Sequence, residues 1–278
     1  MRLGGPPFGD CADPDRWIAE LGRHGYRAAY CPIDNTADDS AVRAYEDAAR
    51  RNDIVIAEVG AWSNPLAPDA AQRTAALAHC QAQLALADRI GARCCVNISG
   101  SRGEQWDGPH PLNLTRETFD QIVDCARAII DAVQPRRSCY ALETMPWMYP
   151  DSADSYVALI KAIDRERFAV HLDPVNLVCS PQRYSANASL IRECFEKLGP
   201  RIRSCHAKDI TLAGRLTVHL DEARPGLGGL DYAAYLRELN KLDPDTPLML
   251  EHLPDEQEYT LAANHIRTVA RETLGVVL

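Results

Sequence analysis

The sequence predicts an α/β fold in which eight parallel strands, each followed by a helix, close into a single (β/α)8 TIM barrel. Short apolar runs alternate with longer amphipathic segments along all 278 residues, a pattern typical of parallel strands joined by helical crossovers. Eight such repeats in a chain of 278 residues suit a closed barrel better than an open sheet. No shift in composition marks a second domain, so we expect one domain over residues 1–278.

The predicted strands are short runs rich in apolar residues. They cover residues 2–4, 26–30, 54–59, 92–98, 138–143, 168–172, 202–206 and 248–252. Because short buried strands that alternate with helices must return to the same end of the sheet, parallel pairing is expected.

The segments between the strands carry helical periodicity and capping signals. Asp13 followed by Pro14 predicts a helix start, and Gly91 predicts a helix end. Further starts are predicted at Thr115, Ser152 and Asp231. The clearest helical face repeats every three or four residues and consists of Phe119, Ile122, Val123, Ala126, Ile129, Ile130 and Val133.

Composition and charge exclude several classes of protein. With 46% hydrophobic and 25% charged residues the chain is ordinary for a globular protein, and a net charge of −9 does not favour nucleic-acid binding. No apolar run approaches the roughly 18 residues of a membrane span, and the N-terminal residues lack a signal-peptide pattern. We therefore expect a soluble, cytoplasmic protein. Its ten cysteines are scattered, which indicates reduced core thiols rather than disulfides or a zinc site.

The ends of the last four predicted strands carry residue types that bind metals. These strands end at Glu143, Asp173, His206 and Glu251, and in a barrel the chemistry lies at the carboxyl ends of the strands. Because side chains alternate along a strand, each acid shares a strand face with earlier residues of an otherwise apolar run. Three carboxylates and one imidazole suit Mn²⁺, with Mg²⁺ or Co²⁺ as alternatives, better than a thiolate-rich zinc site. We expect the four side chains to converge on one divalent cation.

The same segments resemble the xylose isomerase-like TIM barrels, which include ketose 3-epimerases, sugar isomerases, inosose dehydratases and, more distantly, endonuclease IV. The resemblance rests on Ala-Leu-Glu143-Thr-Met-Pro-Trp147, His-Leu-Asp173-Pro-Val-Asn176, Cys-His206-Ala-Lys208-Asp209, Pro225-Gly-Leu-Gly-Gly-Leu-Asp231 and Leu-Glu251-His252. It implies that Glu143, Asp173, His206 and Glu251 hold the cation, and that Glu143 and Glu251 flank the substrate and move its proton.

Two positions depart from the pattern of the ketose epimerases. Asn176, a candidate substrate contact, stands where many of them have a histidine, and Lys208 and Arg215 are the nearest cations where they tend to have an arginine. Because Lys208 shares a strand face with His206, we expect its ammonium near a substrate oxygen. The alternative is a surface pair between Lys208 and Asp209.

Further residues near strand ends are candidate substrate contacts. We expect Trp62 and Trp147 to form an apolar wall against a sugar ring. The alternative is that these side chains pack within their own loops. Glu58 is a candidate contact for a substrate hydroxyl, with a polar loop residue as the alternative. His171 is interpreted as a core histidine that could orient Asp173 rather than as a fifth ligand. His252 should face away from the site on an ideal strand.

Together these residues predict a metal-dependent sugar isomerase or epimerase that acts on a ketose or keto sugar by proton transfer through a metal-stabilised enediolate. The alternative is a metal-dependent lyase or dehydratase that performs β-elimination on a keto sugar, keto glycoside or inosose. An endonuclease is disfavoured by the net charge of −9, and a non-catalytic barrel would be expected to have lost a ligand. The expected partner is a small sugar rather than nucleic acid or a membrane, with a homo-oligomer or a partner subunit left open.

Overall fold

The computed structural model describes residues 1–278 and confirms the predicted barrel. The strands are β1 (Arg2–Gly5), β2 (Ala28–Tyr30), β3 (Val55–Gly60), β4 (Cys94–Asn97), β5 (Tyr140–Glu143), β6 (Phe168–Leu172), β7 (Ile202–Ala207), β8 (Asp209–Leu212), β9 (Leu220–Ala223) and β10 (Pro247–Leu250). Strands β1 to β7 and β10 pair in parallel around a closed ring, because β10 bonds to both β1 and β7. Strands β8 and β9 form a separate antiparallel hairpin after β7.

Helices surround the barrel and begin and end where the capping signals predict. They are α1 (Pro14–His24), α2 (Asp39–Arg51), α3 (Ala70–Ile90), α4 (Arg116–Val133), α5 (Ala153–Ile163), α6 (Pro181–Ser185), α7 (Asn187–Leu198), α8 (Tyr232–Leu239) and α9 (Glu256–Leu274). The side chains of Asp13, Thr115, Ser152 and Asp231 cap α1, α4, α5 and α8, and Gly91 ends α3 with φ at 75°. None of these helices has the length and apolar character needed to cross a bilayer.

The apolar core has two parts. The larger part, with 57 buried residues, lies between the barrel and its helices. The residues of the opposite strand faces fill the lower barrel and are mostly small: Ala28, Ala57, Met249, Cys94, Val96, Cys139, Ala141 and Ala169. Alternation from this inner set carries Glu143, His171, Asp173 and Glu251 into the barrel above it. All ten cysteines are free; six are buried, as expected for core thiols, three are half-buried, and Cys179 is exposed.

A β-bulge in β3 changes the direction of one side chain. Ala29 of β2 pairs with Ile56, but the next residue, Tyr30, pairs with Glu58, so β3 contains one extra residue. Ala57 packs inside the barrel against Met249, and simple alternation would then direct Glu58 outward. The bulge turns Glu58 inward instead, because an extra residue resets the alternation.

Candidate metal centre

Four side chains from neighbouring strands converge at the carboxyl end of the barrel. Glu143 ends β5, Asp173 follows β6, His206 belongs to β7 and Glu251 follows β10. One possible ligand atom of each lies within 4.8 Å of the others. His206 Nδ1 is 3.1 Å from Glu143 Oε1 and 2.7 Å from Glu251 Oε1. The structure thus brings the four side chains together, and their convergence on one cation stays a prediction.

Hydrogen bonds orient the members of this cluster. Asp173 Oδ1 accepts the backbone N–H of Val175 at 2.8 Å and that of Asn176 at 3.3 Å. Asp173 Oδ2 is buried and is ion-paired with Lys208 Nζ at 2.9 Å. The Asn176 amide donates to Glu143 Oε1 at 3.1 Å, so Asn176 contacts the cluster directly. One oxygen of Asp173 is thus fixed by the backbone, while the other faces the cluster, beside the Lys208 ammonium.

Lys208 is the single ammonium among these carboxylates. Its Nζ lies 2.9 Å from Asp173 Oδ2 and 3.8 Å from Glu143 Oε1, and it also contacts Glu251 Oε1. Burial and the charges of Glu143 and Glu251 raise the pKa of Asp173, although Lys208 opposes the shift. Burial lowers the pKa of His206, but the surrounding carboxylates outweigh this and raise it well above its usual value.

The cluster fits a divalent cation by charge and by donor type. Three carboxylates face one ammonium, and buried charge that is not compensated is costly. Carboxylate oxygens with one imidazole nitrogen match the preferences of Mg²⁺ and Mn²⁺. Glu143, Asp173, His206 and Glu251 could therefore hold such an ion.

The interpretation of Lys208 and Asp209 as a surface pair is wrong. Lys208 is 2% exposed and Asp209 is 1% exposed. The Asp209 carboxylate instead accepts the backbone N–H groups of Gly226, Gly228 and Leu230 at 2.9, 3.1 and 2.9 Å. A Cβ atom at Gly228 would lie 2.3 Å from Asp209 Oδ1, so glycine is required there. Asp209 thereby anchors the turn that leads into α8.

A cavity of about 710 Å³ opens above the cluster. Its lining includes Glu143, Glu251, Lys208 and Asn176, together with Glu222 from β9. A groove of about 650 Å³ beside α3 and α4 has comparable volume, but it lacks a cluster of metal-ligating side chains. The chemistry of the lining, rather than volume, therefore locates the candidate site.

Three tryptophans form the rim of this cavity. Trp62 and Trp147, both predicted, are joined by Trp106, and their exposed fractions are 44%, 39% and 38%. Buried Asn113 connects the two loops that carry Trp106 and Trp147, because its amide donates to the Trp147 carbonyl at 3.2 Å and accepts the Arg102 N–H at 2.9 Å. The aromatic rim is thus fixed by the loops beneath it. Sequence reasoning missed Trp106, which lies in an irregular loop without periodicity.

The expectation that Glu58 contacts the substrate needs correction. Glu58 is 1% exposed and does not line the cavity. Its carboxylate lies between His171 Nε2, at 2.7 Å, and His206 Nε2, at 3.3 Å. Burial would raise the pKa of Glu58, but the two histidines lower it to about 2. The bulge in β3 is the physical reason for this placement, since it directs Glu58 into the barrel.

Two histidine predictions have different outcomes. His171 is fully buried, as expected for a core histidine, but its ion-pair partner is Glu58 rather than Asp173. His252 does not face away from the site: it lines the cavity, with Nδ1 3.2 Å from Glu222 Oε2. Strand β10 ends at Leu250 and His252 has φ at 57°, so the alternation of an ideal strand no longer applies to it.

The sequence model of one protein family covers most of the chain. The model described as "Xylose isomerase-like TIM barrel" matches residues 16–269. The chain belongs to the xylose isomerase-like TIM barrel family. A search of curated proteins finds no significant sequence match.

Solved structures share this family's barrel along nearly the whole chain. D-psicose 3-epimerase from Clostridium cellulolyticum, crystallised with D-tagatose, superposes with a TM-score of 0.69 at 15% identity over 99% of both chains. The probable 3-DHS dehydratase AsbF from Bacillus anthracis gives 0.71 at 13% identity, over 97% of this chain and 99% of that one. Endonuclease IV from Thermus thermophilus gives 0.72 at 14% identity, over 98% and 100%. Identities this low establish the shared fold alone.

Proposed function

We propose that this protein is a divalent-metal-dependent isomerase or epimerase of a ketose or related keto sugar. The observation that carries the proposal is the pair Glu143 and Glu251, whose carboxylates approach the same nitrogen of His206 from two strands, at 3.1 and 2.7 Å. Both side chains line the cavity floor. Two carboxylates on different sides of one bound sugar can remove a proton and return one.

Glu143, Asp173, His206 and Glu251 would hold the cation, for which Mn²⁺ is the first choice and Mg²⁺ or Co²⁺ the alternatives. When bound, the cation would supply Lewis-acid polarisation of the substrate carbonyl. Asp173 and His206 serve mainly as ligands, because both are fully buried beneath the cavity.

The two glutamates move the substrate proton. One carboxylate takes the proton from the carbon beside the carbonyl. In an epimerase the other glutamate, in its protonated form, gives a proton to the opposite face and becomes ionised; in an isomerase it relays a proton between oxygens. The Asn176 amide orients Glu143 through its bond to Oε1. The Lys208 ammonium, held between carboxylates at the cavity floor, stabilises negative charge that develops on a substrate oxygen.

The cavity lining supports a neutral sugar as the substrate. Trp62 and Trp147 offer apolar ring faces, on which the C–H face of a sugar can pack. The cationic or titratable basic residues of the lining are Lys208 and His252 alone. Lys208 is already engaged by carboxylates, so no free cluster is available for a phosphate group. The acidic lining also disfavours a nucleic-acid backbone.

The test is product analysis of the Mn²⁺-loaded protein in D₂O with a panel of ketoses and 3-keto glycosides. We expect deuterium at the carbon beside the carbonyl in an isomeric product, and loss of this exchange in Glu143→Gln and Glu251→Gln. Glu196→Gln, which changes an exposed carboxylate of α7, is the matched control and should exchange normally. A product with a new conjugated carbonyl would assign the lyase reaction instead. Wild-type exchange in both active-site variants would contradict the two-glutamate mechanism.

A further inference from the structure

Glu58 lies inside the barrel beneath the ligand cluster, and the chemistry proposed above does not use it. Its two carboxylate oxygens face two different imidazoles, with Oε2 2.7 Å from His171 Nε2 and Oε1 3.3 Å from His206 Nε2. These histidines are its ion-pair partners, and no lysine or arginine pairs with it. A fully buried carboxylate without an arginine or lysine partner is costly, so its position calls for an explanation.

The two nitrogens of His206 face different groups. Nδ1 points toward Glu143 and Glu251, while Nε2 points toward Glu58. An imidazole that binds a metal through one nitrogen carries its proton on the other and commonly donates it to a carboxylate or carbonyl. Glu58 occupies the position of that acceptor.

His171 holds Glu58 from the other side. It is fully buried, and its ring packs edge-on against His206 with ring centroids 4.1 Å apart. The three side chains therefore restrain one another, and the β3 bulge is the feature that brings Glu58 into contact with both rings.

We propose that Glu58 is a positioning residue for the metal-binding imidazole of His206. Its carboxylate accepts the Nε2–H of His206, which directs the Nδ1 lone pair toward Glu143, Asp173 and Glu251, and His171 holds the carboxylate in place. This inference rests on the proposed function, because it requires a cation at the cluster.

The first measurement is the affinity for Mn²⁺ and Co²⁺ by calorimetry in Glu58→Gln and Glu58→Leu. Loss of such outer partners typically weakens metal binding by about 10- to 100-fold. We expect a smaller loss for glutamine, whose amide oxygen can still accept the Nε2–H, than for leucine, which cannot. The Co²⁺ absorption spectrum should change in both variants, since the imidazole is no longer held in one orientation.

Asn97→Ala is the matched control. Asn97 is fully buried on the neighbouring strand β4, but its amide bonds to Ser63 rather than to the cluster. This variant should lose stability while its metal affinity stays within about twofold of the wild type. As a single substitution, His171→Phe should weaken metal binding. In the Glu58→Leu background it should add little, because His171 acts through the Glu58 carboxylate.

A second readout is the tautomer of His206 in the Mg²⁺-loaded protein, followed by ¹H–¹⁵N correlation spectra of the imidazoles. We expect the proton on Nε2 in the wild type, and a proton on Nδ1 would overturn the proposal. Glu58 variants that fold and bind metal within twofold of the wild type would also overturn it, and the proposed function would stand. If the wild type bound two equivalents of metal and Glu58→Gln bound one, the positioning role would be overturned in favour of a second cation between Glu58, His171 and His206. A wild type that binds no metal would remove the proposed function and this inference together. If Glu58→Leu does not fold, Glu58→Gln decides.

Discussion

Binding of a divalent cation should stabilise the folded protein, and Asp173→Asn should abolish this effect. Asp173 Oδ2 is buried in the cluster beside the Lys208 ammonium, whereas Oδ1 is bonded to two backbone N–H groups. Asparagine preserves the volume and the Oδ1 bonds, so the variant removes one ligand charge with little change of shape.

The magnitude follows from mass action and chain length. A cation at about 100 times its dissociation constant stabilises the folded state by about 2.7 kcal/mol. For 278 residues the unfolding entropy is about 0.6 kcal/mol/K, so Tm should rise by about 5 °C. Loss of a residue that hydrogen-bonds a metal ligand can weaken metal binding by roughly 100-fold, so loss of a direct ligand should weaken it at least as much. At the same cation concentration the shift would then fall below about 1 °C.

The metal-free proteins provide a second comparison. Burial and neighbouring carboxylates raise the pKa of Asp173, so the folded protein stabilises the ionised form of this carboxyl less than the unfolded chain does. A neutral asparagine removes this repulsion, and it also removes the contact with Lys208. We expect the metal-free variant to unfold no earlier than the metal-free wild type.

Thermal unfolding monitored by circular dichroism, with Mn²⁺ or with EDTA, measures both effects. Asp107→Asn is the control, because Asp107 lines the same cavity outside the cluster, and it should retain the full cation-dependent shift. An Asp173→Asn protein that keeps the wild-type shift, or an Asp107→Asn protein that loses it, would refute the assignment of the ion to this cluster.

Four further predictions concern single side chains. Lys208→Met should lower turnover on the substrate found by the panel, because it removes the ammonium at the cavity floor; unchanged turnover would exclude a role in catalysis. Trp147→Ala should raise KM more than it lowers kcat, because the proposed role of Trp147 is only to pack on the substrate. Steady-state kinetics separate the two parameters, and an unchanged KM would contradict this contact. Tyr156→Phe should destabilise the fold by about 1–3 kcal/mol in urea unfolding. The Tyr156 hydroxyl lies between β5 and β6, where it accepts from the Leu142 N–H at 3.1 Å and donates to the Ala169 carbonyl at 2.9 Å. A variant with wild-type stability would contradict this prediction. Asp88→Asn should cost about 1 kcal/mol at pH 7, a value reduced for solvent screening. Burial would raise the pKa of Asp88, but hydrogen bonds from three backbone N–H groups outweigh burial and lower this pKa below its usual value of 3.8. The contribution of Asp88 to folding stability is therefore complete above the unfolded-state pKa and is lost as pH falls through the lower folded-state pKa. The stability difference from the wild type should begin to shrink as pH falls below about 4 and should vanish below the folded-state pKa; a difference that did not shrink on acidification would contradict the argument.

The four members of the cluster were predictable because a parallel barrel gives strand ends a common position. Apolar residues before Glu143, Asp173 and Glu251 identify the inner face of each strand, and alternation then fixes the direction of the final side chain. The strand boundaries lie within about two residues of the predicted ones, which is sufficient for this argument.

Glu58 shows where alternation fails. A single extra residue in β3 reverses the direction of every later side chain, and the sequence of residues 54–59 carries no signal for it. The partners of Glu58, His171 and His206, lie on distant strands, so only the closed barrel reveals the contact.

The β8–β9 hairpin was also missed, for a different reason. Strand β9 has the sequence Leu-Asp-Glu-Ala and is half-buried to exposed, so it lacks the apolar character that identifies the barrel strands. The helix start predicted at Asp231 is confirmed, but Asp209, which anchors the turn before it, was interpreted only as a neighbour of Lys208.

The anchoring of this hairpin separates the part of the cavity rim that can vary from the part that cannot. Asp209 begins β8 and holds the glycine turn that follows β9, so the base of the hairpin is fixed next to Lys208. The tip is exposed over residues 214–218, and none of these residues belongs to the ligand cluster. Insertions and substitutions at the tip can therefore accumulate without moving the cluster, while Glu222 of β9 still faces the cavity. The hairpin gives evolution, or a designer, a place to vary the surroundings of the cavity while the cluster beneath is retained.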